Sequence, residues 1–556
     1  MVHTPVDAIS PDHAHQRIRA TSGTHISPAE WQWVILVSGA LVLLAFVPLI
    51  LFALQGTGDV QFMGMMHNYL DGGTYLSKMQ LGIQGSWVVT FEHTPEAHQG
   101  GFIQVIYLLL GHISRLTSIP ALVVFHVARL GASLLMYIAL YQLGATIWTK
   151  VRTRKVFFAL AAIGTGFGWF IAPIIGNSEF PDLTLPEAFP FFSTLMNVHF
   201  PLTLAFILML MTILLNAFRP GAEEEPKSDQ SLPVASVLSF GLALLFPQSL
   251  IPLGAALGLY IAFAWLQTRR LSTRLIRWML AIGLPALPLS AYYLFLVAYN
   301  PAMAEWNRQN ATLAPPLPGG LLIFLAGFGL PLLLALPGIW RAVRRFELDG
   351  DRLMLLWLAA MLIAIFLPTN IQRRFAAGMI IPIAYFATRA IEDFWLSYVS
   401  RRRRVVVFTL ILAIVPISHL FVLFAPVFLY GNNPQDVIGI MLDRDYIGAF
   451  LWLREANEPD DVVLAAPEVG IWIPGYTGDR VVYAHDFETL DAATKEAELT
   501  AWYEAEQSDL CGDLIERYNV RYVLLGPEER KLSESPVCLE GQEPVAQIGQ
   551  VSIYAP

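Results

Sequence analysis

Apolar runs long enough to cross a bilayer recur through the first three quarters of the chain, and its charges sit between them. A crossing needs about 20 apolar residues, because the hydrocarbon core is about 30 Å thick and a helix rises about 1.5 Å per residue. Lipid offers the backbone no hydrogen-bond partner, so such a chain must fold as a bundle of membrane helices. About eleven segments meet the length: 34–54, 121–147, 157–175, 200–218, 233–248, 250–266, 278–298, 319–340, 353–368, 375–396 and 405–428. Only 14% of the residues are charged, against about 25% in soluble domains. A net charge of −9 gives nucleic acid no electrostatic footing.

Basic loops at 150–155, 269–277, 341–345 and 401–404 set the orientation, since Lys- and Arg-rich loops stay in the cytoplasm. Putting all four inside requires an even number of crossings between each. That parity leaves out Gly101–Leu116, which is short and interrupted by His112 and Arg115. It is expected to lie at the outer face as an interfacial helix or shallow re-entrant piece. The first 30 residues lack the apolar core of a cleavable signal peptide, so the first apolar run is expected to remain as a membrane helix. The expected organisation is a cytoplasmic tail at 1–33, a transmembrane domain at 34–428 with a large first outer loop at 55–119, and an extracytoplasmic domain at 429–556. The protein would be multi-pass in the cell's inner or plasma membrane, with the bilayer itself as a partner.

The last region changes character. Short β-rich runs (VVLAA at 462–466, VVYA at 481–484, YVLLG at 522–526 and a closing VAQIGQVSIYA) alternate with helical stretches such as Asp491–Gln507. This predicts a small α/β domain, joined to the membrane part by a helix near 434–456. Both cysteines, Cys511 and Cys538, fall in it. An oxidising outer compartment permits a disulfide between them; two buried thiols are the other reading, and both stay open.

Candidate chemistry collects in the outer loops. Asp59 and Asp71 follow the first span, and either could serve as a general base or hold a divalent cation. Asp71 could equally cap a helix start, since Asp71-Gly72-Gly73-Thr74 precedes a helical stretch. Glu92, His93, Glu96 and His98 form a second polar cluster; a solvated loop is the plainer account of its histidines. Glu179, Asp182 and Glu187 fill the second outer loop, with Asn197 and His199 where the next span begins. Capping and solvation are the ordinary reading of those carboxylates. Arg373 and Arg374 stand in an outer turn where the positive-inside rule disfavours them. Paired arginines suit a phosphate, or the outer carboxylates. Arg129, with His126 one turn before it, lies within a span, where a charge usually faces a polar cavity.

This layout resembles the GT-C superfamily of membrane glycosyltransferases, which includes the protein O-mannosyltransferases, the aminoarabinose transferases of lipid A and the oligosaccharyltransferases. The likeness rests on one span followed by a large outer loop with an early acidic residue, then an amphipathic outer helix, many spans and an outer soluble domain. Within the superfamily the chain looks most like a group of bacterial multi-spanning proteins. The segments that carry this are FMGMMHNYLDGGTYLSKMQLGIQGSW, FEHTPEAHQGGF, VFHVARL, PDLTLPEAFPF with NVHF, NIQRRF, and HDFETLD with YVLLGPEER. The resemblance implies a GT-C-like fold of about eleven transmembrane helices. It implies transfer of a hexose or pentose, with inversion, from a polyprenyl-phosphate carrier to a glycan, lipid or protein acceptor at the outer face. Asp71 or Asp59 would be the base, and Arg373, Arg374 and Arg129 would hold the lipid phosphate. His126, Glu179, Asp182, Glu187, Asn197, His199, Glu92 and His93 would complete the substrate site. The WWDYG-type motif of the oligosaccharyltransferases is missing, and Glu179-Phe-Pro-Asp182 is at best a spaced form of their acidic pair. This counts against an oligosaccharyltransferase and leaves metal dependence open. A polysaccharide polymerase or ligase is the alternative, as is a lipid-linked-glycan transporter or flippase; the latter would usually show paired, interrupted helices in two halves.

Overall fold

The computed structural model describes residues 25–556 except 57, 220–228, 311–318, 348–349, 370, 431–438, 457, 459–460 and 506–510. Most of the expected cytoplasmic tail, the start of the linking helix near 434 and the end of the stretch at 491–507 therefore lie outside the described residues. The first membrane helix, Pro28–Gln55, begins six residues before the expected 34. Ser27 and Glu30 form a reciprocal capping box there, which satisfies N–H groups that a later start would leave bare.

Among the described residues, seven helices are long and apolar enough to cross a membrane, and two further pairs qualify if each bent pair is one span. The pairs are Gly320–Ala326 with Gly329–Arg345, bent by 92°, and Arg404–Ile414 with Ile417–Leu429, bent by 42°. The two remaining expected spans fall on helices of 14 residues each, Leu232–Leu245 and Asp351–Ala364. Each is about 21 Å long, short of a full crossing. The apolar run at 101–116 becomes a 13-residue helix, Val105–Thr117. It crosses the outer-loop helix Tyr69–Gln84 closely: a Cβ on Gly82 would stand 2.3 Å from the Leu108 carbonyl oxygen, and one on Gly111 would stand 2.1 Å from that of Met79.

Two of the basic loops, 150–155 and 341–345, meet the turn at Glu392 and Asp393 at one end of the bundle. Arg154 bonds Glu30, Thr153 bonds Glu392, and Arg341 bonds both Asp351 and Asp393. At the other end of helix Ala121–Ile147, His126 contacts the outer loop at Gly64.

The C-terminal α/β domain forms as expected. Its five-stranded sheet runs in the order β4-β3-β5-β7-β6, with β3 (Val462–Leu464), β4 (Arg480–Val481), β5 (Val520–Leu525), β6 (Ala546–Ile548) and β7 (Val551–Tyr554). β3 is parallel to β4 and β5, and β7 is antiparallel to β5 and β6. The stretch at 491–507 contains the helix Ala492–Tyr503, and the linking helix occupies Asp445–Ala456. Cys511 and Cys538 are joined, with Cα atoms 5.2 Å apart, so the two-thiol reading does not hold. A separate ribbon ties the membrane domain to this region: β1 (Val60–Phe62) pairs antiparallel with β2 (Met441–Asp443).

Candidate active site

The helix that carries Asp71 starts at Tyr69, two residues before Asp71, so this aspartate is not the cap but the third helical residue. Its carboxylate benefits there from the positive end of the helix dipole. Gly73 lets the helix press on the C-terminal domain: a Cβ there would lie 2.5 Å from the Ile471 carbonyl oxygen. The Asn68 amide donates to Asp71 Oδ2, and His485 Nε2 stands 3.5 Å from Oδ1. Burial pushes the Asp71 carboxyl up, but His485 and the charge of Arg374 pull it the other way, and the balance holds it below the usual carboxylate value.

Asp71 opens into a cavity of about 220 Å³ whose walls include Glu187, Asn197, Arg373 and Arg374. The two arginines sit in a tight helical turn, Gln372–Ala376, just before the helix Ile380–Ala390. Arg374 donates to Glu187 Oε1 at 3.0 Å, and the Glu187 backbone is fixed by the Gly378 N–H at 2.9 Å. Arg373 makes no hydrogen bond or ion pair with the described residues, so its charge remains available to the cavity. Asn197 accepts the Phe200 N–H at 2.9 Å and so caps the next helix, while its amide faces Tyr75.

The other expected site residues do not line this cavity. Asp59 is exposed, and its backbone carbonyl accepts from Arg444 at 2.7 Å beside the ribbon. Glu179 is exposed, and its N–H caps onto Asn177. Asp182 is fully buried behind the loop, where Gly166 N–H, Gly168 N–H and the Ser418 hydroxyl hold its Oδ2; burial pushes this carboxyl up to about 6. Arg129 donates to the Leu195 carbonyl at 2.9 Å and lies 4.3 Å above the Phe46 ring. His126 contacts the Gly64 carbonyl at 2.9 Å, and His199 Nδ1 contacts the Tyr107 hydroxyl at 2.7 Å. Glu92 pairs with Arg480 at 3.1 Å, and His93 Nε2 faces the Ile471 carbonyl at 3.2 Å. These last two, with Glu96 on Lys495 at 2.6 Å, seal the first outer loop onto the C-terminal domain. Their partners are protein groups, which gives them a docking position.

Four residues that sequence reasoning passed over belong to the site. His67, Asn68 and Tyr75 line the cavity, and His485 reaches Asp71 from the C-terminal domain. The only signal for His485 was its place in the HDFETLD segment.

No protein-family model and no curated protein matches the sequence. Solved structures do match in fold. The oligosaccharyltransferase of Archaeoglobus fulgidus in its apo form aligns with a TM-score of 0.55 at 14% identity, over 90% of this chain and 70% of its own. The same archaeal enzyme in complex with an inhibitory peptide and a dolichol-phosphate aligns with a TM-score of 0.52, over the same shares. ArnT from Cupriavidus metallidurans bound to undecaprenyl phosphate aligns with a TM-score of 0.52 at 13% identity, over 94% of this chain and 98% of its own. The chain therefore has a GT-C-like membrane fold with an α/β domain at its C-terminus.

Proposed function

We propose that the protein is a membrane glycosyltransferase that moves a sugar from a polyprenyl-phosphate carrier to an acceptor hydroxyl at the outer face of the membrane. One observation carries this: an acid with a lowered pKa, Asp71, shares a single cavity with the arginine pair Arg373 and Arg374. Fold neighbours that hold dolichol-phosphate or undecaprenyl phosphate support the same carrier class.

Asp71 takes the proton of the acceptor hydroxyl. The acceptor oxygen then attacks the anomeric carbon, the bond from that carbon to the phosphate oxygen breaks, and the configuration inverts. The polyprenyl phosphate leaves with the bonding pair, and Arg373 and Arg374 stabilise its charge. The two arginines differ in readiness, since Glu187 already holds Arg374.

A divalent cation fits the cavity poorly. Asp71 is bonded on one oxygen and faced by His485 on the other, and Glu187 Oε1 is committed to Arg374, which leaves Oε2 as the one open carboxylate oxygen. Among the described residues no group of three His, Cys, Asp or Glu could hold a metal. No step is therefore assigned to one.

The test is transfer from undecaprenyl-phosphate-linked pentoses and hexoses by purified protein. Asp71→Asn is expected to lower the rate by about 100-fold or more while the protein folds and inserts. Arg373→Ala is expected to weaken carrier binding more than turnover. Parental rates in both variants would remove the proposal.

A further inference from the structure

The outer domain contributes one side chain to the neighbourhood of Asp71, and its protonation form is fixed by the backbone. His485 is buried, and its Nδ1 accepts the Phe487 N–H at 3.1 Å. Nδ1 must keep its lone pair to do so, which places the proton of the neutral ring on Nε2. Nε2 is the atom that faces Asp71 Oδ1 at 3.5 Å. That separation is longer than a usual hydrogen bond, and catalytic contacts in substrate-free sites commonly stand this long and tighten when substrate binds.

The turn that carries His485 is locked onto the helix that carries Asp71. Thr489 donates its hydroxyl to the His93 carbonyl at 2.6 Å and receives the His485 N–H at 3.3 Å. Glu488 reaches the same helix at Lys78, with 2.5 Å between the charged atoms. Asp71 and Lys78 are two turns apart on one helical face, and His485 and Glu488 are three residues apart on the facing turn. The Lys78–Glu488 pair thus grips the face that carries Asp71, and the Thr489–His93 bond anchors the turn of His485 to the loop that follows that helix. Both oxygens of the carboxylate then have a neighbour that donates, Asn68 on Oδ2 and His485 on Oδ1, and the carboxylate plane is held toward the cavity.

We propose that His485 is the positioning residue for Asp71: its Nε2–H orients the carboxylate and favours the ionised form, so that the C-terminal domain completes the active site. This rests on the reading of Asp71 as the base. The charged and titratable groups facing this pair are Glu488 on the turn of His485, His93 on the first loop, Lys78 on the helix, and Arg373, Arg374, Tyr75, Tyr107 and His199 around Asp71. None of these occupies the position between His485 and Asp71 Oδ1.

The experiment uses the full-length protein, with the pH profile of transfer from undecaprenyl-phosphate-linked sugars and, separately, the binding of undecaprenyl phosphate. His485→Phe keeps a ring and removes the donor. It is expected to slow turnover by about 10-fold and to move the acid limb of the profile to higher pH, with carrier binding unchanged. His485→Gln returns an amide N–H near the place of Nε2 and is expected to restore most of the rate and the original limb. Slowing in both variants with an unmoved limb would mean a packing role and overturn the proposal, as would parental behaviour of His485→Phe. If His485→Phe fails to fold, His485→Gln decides alone: parental rate and limb support the proposal, and slowing with an unmoved limb overturns it. Loss of transfer in Asp71→Asn beside a parental His485→Phe overturns only the role of His485. A parental Asp71→Asn overturns the reading beneath it as well.

Discussion

The two ends of the helix bundle treat buried carboxylate oxygens differently. At the basic end, the ionised oxygens are filled. Glu30 accepts from Tyr141 at 2.8 Å, from Arg154 at 2.7 Å and from the Ser27 N–H at 3.0 Å. Asp351 is held by Arg341, Arg389 and the Tyr385 hydroxyl. At the cavity end, polar atoms are buried without partners among the described residues: Glu187 Oε2, His67 Nε2, and Arg129 Nε and Nη2. A saturated charge network fixes geometry, and an unsaturated one keeps binding capacity in reserve. This difference separates Arg373, which has no hydrogen-bond partner among the described residues, from the arginines that clamp helices, although both kinds read alike as Arg in a sequence.

The contrast can be broken most sharply at the basic end. Glu30→Ala leaves Arg154 buried beside an empty place and is expected to cost about 3–5 kcal/mol of stability. The double variant Glu30→Leu with Arg154→Met should recover much of that, as read by thermal unfolding in detergent. A single variant as stable as the parent would show that the network does not hold this end.

A smaller effect is expected at the cavity end, through pH. Burial, and after it the charge of Arg129, push the His67 imidazole down to about 3. The unfolded chain takes up this proton as the pH falls below about 6.5, while the folded chain does not. Stability is therefore lost on acidification through that window, by up to about 2 kcal/mol between pH 7 and pH 5. His67→Gln should flatten this part of the profile; an equally steep loss in that variant would assign the acid sensitivity elsewhere.

The smallest effect is expected at Asp59, which is exposed beside the ribbon and does not line the cavity. Asp59→Asn should transfer within about twofold of the parent. A loss as large as that of Asp71→Asn would move the base to Asp59 and dissolve the distinction between the two aspartates.

Much of this was legible in the sequence, for reasons that differ from residue to residue. The spans follow from length and polarity, and the helix Ala121–Ile147 matches its expected limits. Asp71, Glu187, Asn197, Arg373 and Arg374 were found as acids, an amide and cations in outer loops, and they meet in one cavity. The remaining outer candidates share that composition but differ in orientation, which sequence does not carry. Glu92 turns to Arg480, and Asp182 turns inward to Ser418. Of the residues that sequence reasoning missed, His67, Asn68 and Tyr75 flank Asp71 in the chain, whereas His485 depends on packing across the two domains. Lys78 and Glu488, whose contact brings His485 to the helix of Asp71, are 410 positions apart, and no local pattern records such a pairing.

The ribbon of β1 and β2 has a consequence for the timing of assembly. Its first strand, Val60–Phe62, is made about 380 residues before its partner, Met441–Asp443. At about 5–20 residues per second the wait lasts some tens of seconds. During that interval Met63 and Met66, buried in the finished protein, have no Ile440 or Met441 to rest against. The turn bearing His485 emerges later still. A nascent chain that stalls short of residue 443 thus holds Asp71 without the wall that closes over it, and the cavity wall is complete only once the turn bearing His485 has been made.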